Sequence, residues 1–376
     1  MNEHEFKIKY SIGGNHNGLL NQITKELRQK RPRVPVDLTY TLFEVNDFAQ
    51  LWLQTKGCSF SKTGSCTCCD YWEGENLPNI AEVFKEALDK LSPNVSSVLI
   101  ETSGSVFDDN EIPLKELKKI FELLDKKKYK KIVIETHMNT ITRQKLDILK
   151  EIITGSEVCI EVGIESLSRE VLLYSLNKMT VAKDITQLCE MVHEKGFKLI
   201  GNIMVGVPFL PLSSQIEDAV YGIHKLFEQG IDYIILFPVN IKQYTLVHWL
   251  YQNELYERVY GQAVIKVLNQ IDRSLLDRID VVWYGNRKQE NPAYGSDILG
   301  PYYCEECSED IMDFLQKFNS QNDLEGRLNL LDGINDYSCE CKKSMENTLE
   351  NEAMQKPDIY DLLDRYYEKM ESYISK

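Results

Sequence analysis

Residues 51–72 read LWLQTKGCSFSKTGSCTCCDYW, and this stretch decides the fold. LWLQT is a short apolar run with strand character, and a polar loop follows at once. Cys58, Cys66, Cys68 and Cys69 all fall in that loop, and three of them are spaced C-x7-C-x2-C through Cys58, Cys66 and Cys69. A soft metal cluster needs several thiolates brought together, and a loop after a strand supplies them. Three ligands leave one iron of a four-iron cluster open to a small molecule. Two alternatives stay open at this level. The trio could be Cys58, Cys66 and Cys68, or the loop could hold a structural zinc with Cys68 as a fourth ligand, although zinc usually gathers two spaced pairs.

Outward from this loop the chain alternates between strand-like and helix-like segments. Strands are expected at LWLQT (51–55), SSVLIE (96–101), KKIVIE (130–135), EVCIEVGIE (157–165), FKLIGNIMVGV (197–207) and DYIILFPV (232–239). Helices are expected near 80–91, 114–127, 143–153, 169–176, 182–195 and 214–229. The strands are short, continuous apolar runs, as in a parallel sheet buried on both faces. Strand–helix units in this number predict an α/β chain built on a partial (β/α)6, TIM-like barrel, with its site at the carboxyl ends of the strands. Residues 1–45 read as an N-terminal extension in which KELRQKRPRVPV is a charged helix end broken by Pro32 and Pro35. The barrel occupies 46–260. Residues 261–376 read as a C-terminal extension with an irregular segment (281–304), two cysteine pairs and an amphipathic terminal helix. No internal repeat beyond the alternation and no low-complexity segment is present.

A hydrophobic content of 43% and a charged content of 27% describe an ordinary globular protein large enough for a barrel-sized core. No stretch approaches the roughly 18 consecutive apolar residues of a membrane span. The start, MNEHEFKIKYS, lacks a signal-peptide apolar segment, so a cytoplasmic location without membrane contact is expected. In that compartment ten cysteines, eight of them in two clusters, point to metal ligation rather than disulfides. The net charge of −15 disfavours a large phosphate-neutralising surface, and no intrinsic nucleic-acid-binding domain is evident. The basic segments 25–33 and 126–131 read as solvated surface.

Polar groups at the strand ends are candidates for holding a ligand over the barrel mouth. They are Thr102, Ser103 and Gly104 after the second strand, Glu135 on the third, Glu165 on the fourth, Asn202 on the fifth and Asn240 after the sixth. His137 follows the third strand and is the candidate catalytic acid or base. Arg169 and Lys178 could bind a substrate carboxylate or serve the helix surface. Cys304, Cys307, Cys339 and Cys341 resemble a four-thiolate site that suits either tetrahedral zinc or a second iron–sulfur cluster. Cys159 and Cys189 read as core packing.

These motifs together resemble the radical S-adenosylmethionine (radical SAM) superfamily, and within it the radical SAM subunit of archaeosine synthase, in the Elp3/MiaB-type group. The resemblance is carried by the cysteine loop and by TSGSVFD (102–108) running to Glu111, Ile112 and Pro113. It continues through VGIES (162–166), SLNK (175–178), PVNI (238–241), GPYYCEEC (300–307) and the Cys339-x-Cys341 pair, and covers about residues 45–345. It implies a [4Fe–4S] cluster on Cys58, Cys66 and Cys69 that cleaves SAM to methionine and a 5′-deoxyadenosyl radical, drawing on an external electron donor. It also implies hydrogen abstraction and C–N cleavage or rearrangement on a lysine-modified deazaguanine in tRNA, with a partner subunit to supply tRNA binding. Cys68 stands where an apolar residue is usual in the family, and the strand end bearing His137 differs from the family's. Chemistry on a free small molecule is the first alternative, and a non-catalytic, zinc-organised binding protein is the second.

Overall fold

The computed structural model describes residues 1–10, 18–31, 38–62, 64, 66–70, 74–75, 77–178, 184–288, 297–354 and 358–374. Helices α1 (Glu3–Tyr10) and α2 (Gly18–Gln29) precede a hairpin of β1 (Tyr40–Val45) and β2 (Phe48–Leu53). The hairpin closes over Asn46 and Asp47, with Asn46 at φ 54°, the left-handed backbone a two-residue turn requires. Alternation follows: α3 (Ile80–Lys90), β3 (Ser97–Thr102), α4 (Leu114–Lys127), β4 (Lys131–Thr136), α5 (Arg143–Ile152), β5 (Glu157–Glu165), α6 (Ile185–His193), β6 (Lys198–Val205), α7 (Leu212–Glu228) and β7 (Tyr233–Pro238). After α8 (Leu246–Gln252) and α9 (Gly261–Gln270) a short β8 (Ile279–Val281) joins the sheet. Helices α10 (Ser308–Ser320), α11 (Leu324–Asn335), α12 (Glu340–Ala353) and α13 (Ile359–Ile374) complete the chain.

The strands lie in chain order, β1 antiparallel to β2 and each later neighbour parallel. This is the partial barrel that the alternation predicts, with β2–β7 as its six parallel strands. The sheet also extends beyond residues 46–260, to β1 at one edge and β8 at the other. The first expected strand, 51–55, starts earlier, at Phe48, and ends at Leu53, which frees Gln54 and Thr55 to begin the cysteine loop. The helix expected over 169–176 is a single π-helical turn, Val171–Ser175. Part of the segment expected at 182–195 lies outside the described residues.

Period-two alternation explains the two faces of the sheet. Val98, Ile100, Ile132 and Ile134 point outward and meet helix residues such as Phe84, Leu88, Leu117 and Phe121 in one buried core. Those helix residues recur at helical spacing, which gives α3 and α4 their apolar stripes. Leu99, Val133, Cys159 and Ile200 point inward and pack at the barrel's lower level. A second core holds α1, α2, the Val171–Ser175 turn, α8 and α13 together above the strand ends, through Phe6, Tyr10, Leu20, Tyr174, Leu250 and Tyr367.

Candidate active site and metal centres

The cysteine loop is held at several points. At its root the Thr55 hydroxyl donates to Glu111 Oε2 at 2.5 Å. Glu111 also accepts from the Thr102 hydroxyl at 3.0 Å and the Ser105 N–H at 2.8 Å, so one buried carboxyl ties the loop to the end of β3. Burial outweighs these donors and pushes Glu111 up to about 7. Gly104 allows the approach: a Cβ there would lie 2.7 Å from Cys58 Cα and 2.1 Å from Glu111 Oε1. Farther along, Thr67 donates its backbone N–H to Leu176 O at 2.9 Å and its hydroxyl to Ser175 O at 2.6 Å, and Val247 N donates to Thr67 O. Asp70 pairs with Lys242 at 2.7 Å. Gly64 lies against Asn21 of α2, which accepts from the Asn177 amide at 2.9 Å. The SLNK segment (175–178) is therefore a brace for the loop.

Beneath the loop lies a cavity of about 560 Å³, lined by Cys58, Cys66, Cys68, Cys69, Gly104, Glu135, His137, Glu165, Lys178 and Asn202, with Glu101, Glu161 and Trp283. Three sequence candidates sit differently. Thr102 spends its hydroxyl on Glu111. Ser103 is buried with its Oγ unpartnered, and it does not line the cavity. Asn240 donates to Pro238 O and Trp283 O and accepts from Arg287. Arg169 lies on the surface and pairs with Glu3 at 2.6 Å, whereas Lys178 is buried and donates to Gly163 O at 2.6 Å and Glu165 at 3.0 Å. Glu165 owes its aim to a bulge: the β5–β6 register shifts between Gly163 and Glu165, where Glu165 takes φ 71°.

Electrostatics separate the groups. Loss of water, then the neighbouring thiols, pushes Cys66 well above an ordinary thiol, while the Lys178 charge opposes that rise. Burial pushes Cys68 up as well. Burial and the charge of Lys178 push His137 down to about 4, so its ring is neutral near pH 7. Its Nε2 lies 3.8 Å from Cys58 Sγ, within reach of a hydrogen bond to sulfur. His137 is thus placed beside a proposed cluster ligand.

The C-terminal cysteines form a tighter group. Cys304, Cys307, Cys339 and Cys341 are all buried, with their sulfurs within 4.8 Å of one another. Cys307 lies 3.5 Å from Cys304 and 3.3 Å from Cys341, and Cys339 lies 3.5 Å from Cys341. Cys307 and Cys339 stand at the N-caps of α10 and α12. Burial, then the neighbouring thiols, pushes the Cys307 thiol well up. Burial raises the Cys304 thiol, but backbone N–H groups and neighbouring thiols outweigh it and bring it down to about 7. Among the described residues this is the one group gathered closely enough for a single ion. The loop cysteines Cys58, Cys66, Cys68 and Cys69 share one cavity wall.

The cavity fits the groups that its motifs imply. Four thiols reach it from one loop. Glu165 Oε2 and Asn202 Oδ1 are buried without partners. Glu165 and Lys178 close in on the backbone at Gly163, where a Cβ would fall 2.5 Å from Glu165 Oε1 and 3.1 Å from Lys178 Nζ. Residues 52–219 match the family described as the Radical SAM superfamily. The chain carries a radical SAM domain. It is an enzyme, and a bound [4Fe–4S] cluster supplies the electron for the superfamily's reaction, reductive cleavage of SAM. Among curated relatives, the archaeosine synthase subunit beta of Thermococcus kodakarensis is 26% identical over 80% of this chain and 90% of its own length. The protein of the same name from Methanosarcina acetivorans is 24% identical over 80% and 84%. An uncharacterized protein of Methanocaldococcus jannaschii is 24% identical over 81% and 83%. The solved structure of an N-terminally deleted Elp3 from Methanocaldococcus infernus aligns with a TM-score of 0.48 at 13% identity, covering 73% of this radical SAM chain and 64% of that one.

Sequence reasoning left Glu101 and Glu161 out of the site. Their signal was present: a carboxylate inside an otherwise apolar strand run, in IET at 100–102 and CIEV at 159–162. Trp283 and Lys242 join the cavity from segments beyond β7 and carried no local signal. No helix among the described residues is long and apolar enough to cross a membrane.

Proposed function

We propose that this radical SAM enzyme acts on a nucleoside-linked substrate bearing a lysine-like arm, most simply a lysine-modified deazaguanine in tRNA, and cleaves or rearranges a C–N bond in that arm. The observation that carries this reading is the match, across four-fifths of the chain, to two proteins named archaeosine synthase subunit beta. In this reading Cys58, Cys66 and Cys69 hold the cluster. Glu165 and Lys178, beside Gly104 and Gly163 in the cavity wall, seat SAM. The cavity walls keep water away from the reacting atoms. The C-terminal quartet holds zinc, because its sulfurs converge on one point, and it staples α10 and α12 to the barrel.

A partner subunit would bring the tRNA, because this chain's own charge does not. Lys119, Lys127 and Lys128 around α4 are paired with Glu116, Asp89 and Asp125. The net charge of −15 favours a second reading, a free small-molecule substrate. One experiment separates the two. The anaerobically reconstituted chain is incubated with SAM, reductant and a substrate deuterated along the arm, either in tRNA or as the free amino acid. Deuterium in 5′-deoxyadenosine from the tRNA alone supports the proposal. Deuterium from the free compound alone replaces it with the second reading.

A further inference from the structure

Three glutamates on adjacent strands stand side by side inside the barrel. Ile100 pairs with Ile134, so Glu101 and Glu135 follow as neighbours, and Glu135 pairs directly with Glu161. All three line the cavity, and Glu101 and Glu135 hydrogen-bond to each other. Immediately below them Leu99, Val133, Cys159 and Ile200 make an apolar floor. Glu161 lies four residues before the end of β5, and so below Glu165 and Lys178.

Neutral donors from the neighbouring walls reach two of them. The Gln50 amide donates to Glu101 Oε1 at 2.8 Å, and the Asn202 amide donates to Glu161 Oε1 at 2.9 Å. The nearby cations have partners elsewhere: Lys178 pairs with Glu165, Lys242 with Asp70 and Lys131 with Glu157, and Arg287 donates to Asn240. Lys242 and Arg287 still act on Glu101 through space, and Lys131 on Glu161. Asn202 is 9% exposed, lines the cavity, and leaves its Oδ1 without a donor. An acceptor-rich wall over an apolar floor weakens the fold, since buried carboxyls without counter-charges cost free energy. Burial holds Glu135 well above the carboxylate range, and adjacent carboxyls add to that. The unpartnered Asn202 Oδ1 and the adjacent carboxyls offer acceptors that a cation with several N–H donors would fill.

We propose that Glu101, Glu135, Glu161 and Asn202 form a subsite for an organic ammonium group, one layer below the level of Glu165 and Lys178, which receives the charged tip of the substrate arm. The subsite rests on the proposed reading of the substrate as one with a lysine-like arm. The carboxyls would accept the N–H donors, Asn202 Oδ1 would gain its partner, and the apolar floor would limit the depth of entry. Charge-assisted bonds of this kind are the strong ones in a dry site.

The test uses the reconstituted, SAM-loaded protein with n-butylamine as probe and n-butanol as its uncharged counterpart, followed by saturation-transfer NMR titration. The amine is expected to bind and the alcohol not. Glu161→Gln, and independently Glu101→Gln, should weaken amine binding about tenfold or more. SAM affinity, iron content and melting temperature are followed in each variant, so that a folding defect in one leaves the other to decide. Equal binding of amine and alcohol, or amine affinity unchanged in both variants, overturns the proposal. Displacement of the amine by excess SAM also overturns it, by assigning the wall to SAM. Absence of reductive SAM cleavage in the wild type would instead remove the proposed function, and the amine titration would stay readable on its own.

Discussion

Gly104 is the residue on which the approach of Cys58 depends. A methyl group there meets Cys58 Cα at 2.7 Å and the Glu111 carboxyl at 2.1 Å, so Gly104→Ala should cost about 3 kcal/mol. It should also lower the iron bound after reconstitution, measured as iron per chain. Glu111 gives a pH signature. Its folded pKa, about 7, lies above the ordinary 4.5. The stability this group contributes is therefore present below the ordinary value and is lost as pH rises through about 7, a loss of about 3 kcal/mol. Glu111→Gln should flatten that slope between pH 4.5 and 7 in urea titrations, and an unchanged slope would remove this account of the loop's root. His137 Nε2 lies 3.8 Å from Cys58 Sγ, and we propose it as a positioning group for a cluster on that cysteine. His137→Phe removes that bond and should move the cluster midpoint more negative, on the order of tens of millivolts. A potential equal to wild type would reject this role.

At the scale of elements, the strand–helix alternation was legible because parallel strands buried on both faces leave unbroken apolar runs. The cysteine loop was legible because its spacing is unusual. The edges of the sheet were not. β1 begins at Tyr40 with half-buried and exposed residues, which hides its strand periodicity, and β8 spans only Ile279–Val281. Glu101 and Glu161 were hidden for another reason: whether a carboxylate in a strand faces a cavity depends on the registers of both neighbours, and a single strand does not reveal this. The C-terminal pairs were legible as a four-thiolate group, and the fold brings all four sulfurs within 4.8 Å of one another. Cys307→Ser should remove one equivalent of zinc while iron is retained, as read by metal analysis. Loss of iron in place of zinc would make this a second iron–sulfur site.

Over the whole molecule, the two chain ends are fastened together above the barrel. Lys9 pairs with Asp364 and Glu368, and the Tyr10 hydroxyl donates to Asp364 at 2.6 Å. Phe6 packs edge-on against Tyr174 and Tyr367. From there a chain of bonds reaches the cysteines: the Tyr367 hydroxyl donates to Tyr174 O at 2.9 Å, and the next residue, Ser175, accepts from Thr67 between Cys66 and Cys68. Tyr367→Ala should cost about 3 kcal/mol or more and shorten the lifetime of the cluster in air, followed by its visible absorbance. An unchanged lifetime would mean that the terminal helices stabilise the fold without steadying the loop. The central claim is that Cys58, Cys66 and Cys69 together carry a cluster with one open iron. Electron paramagnetic resonance of the anaerobically reconstituted, reduced protein tests it most directly. The account predicts a signal that changes when SAM is added, disappears in Cys58→Ala, Cys66→Ala and Cys69→Ala, and survives in Cys68→Ala. A wild-type protein without a signal, or a Cys58→Ala protein that keeps its SAM-sensitive signal, would contradict it.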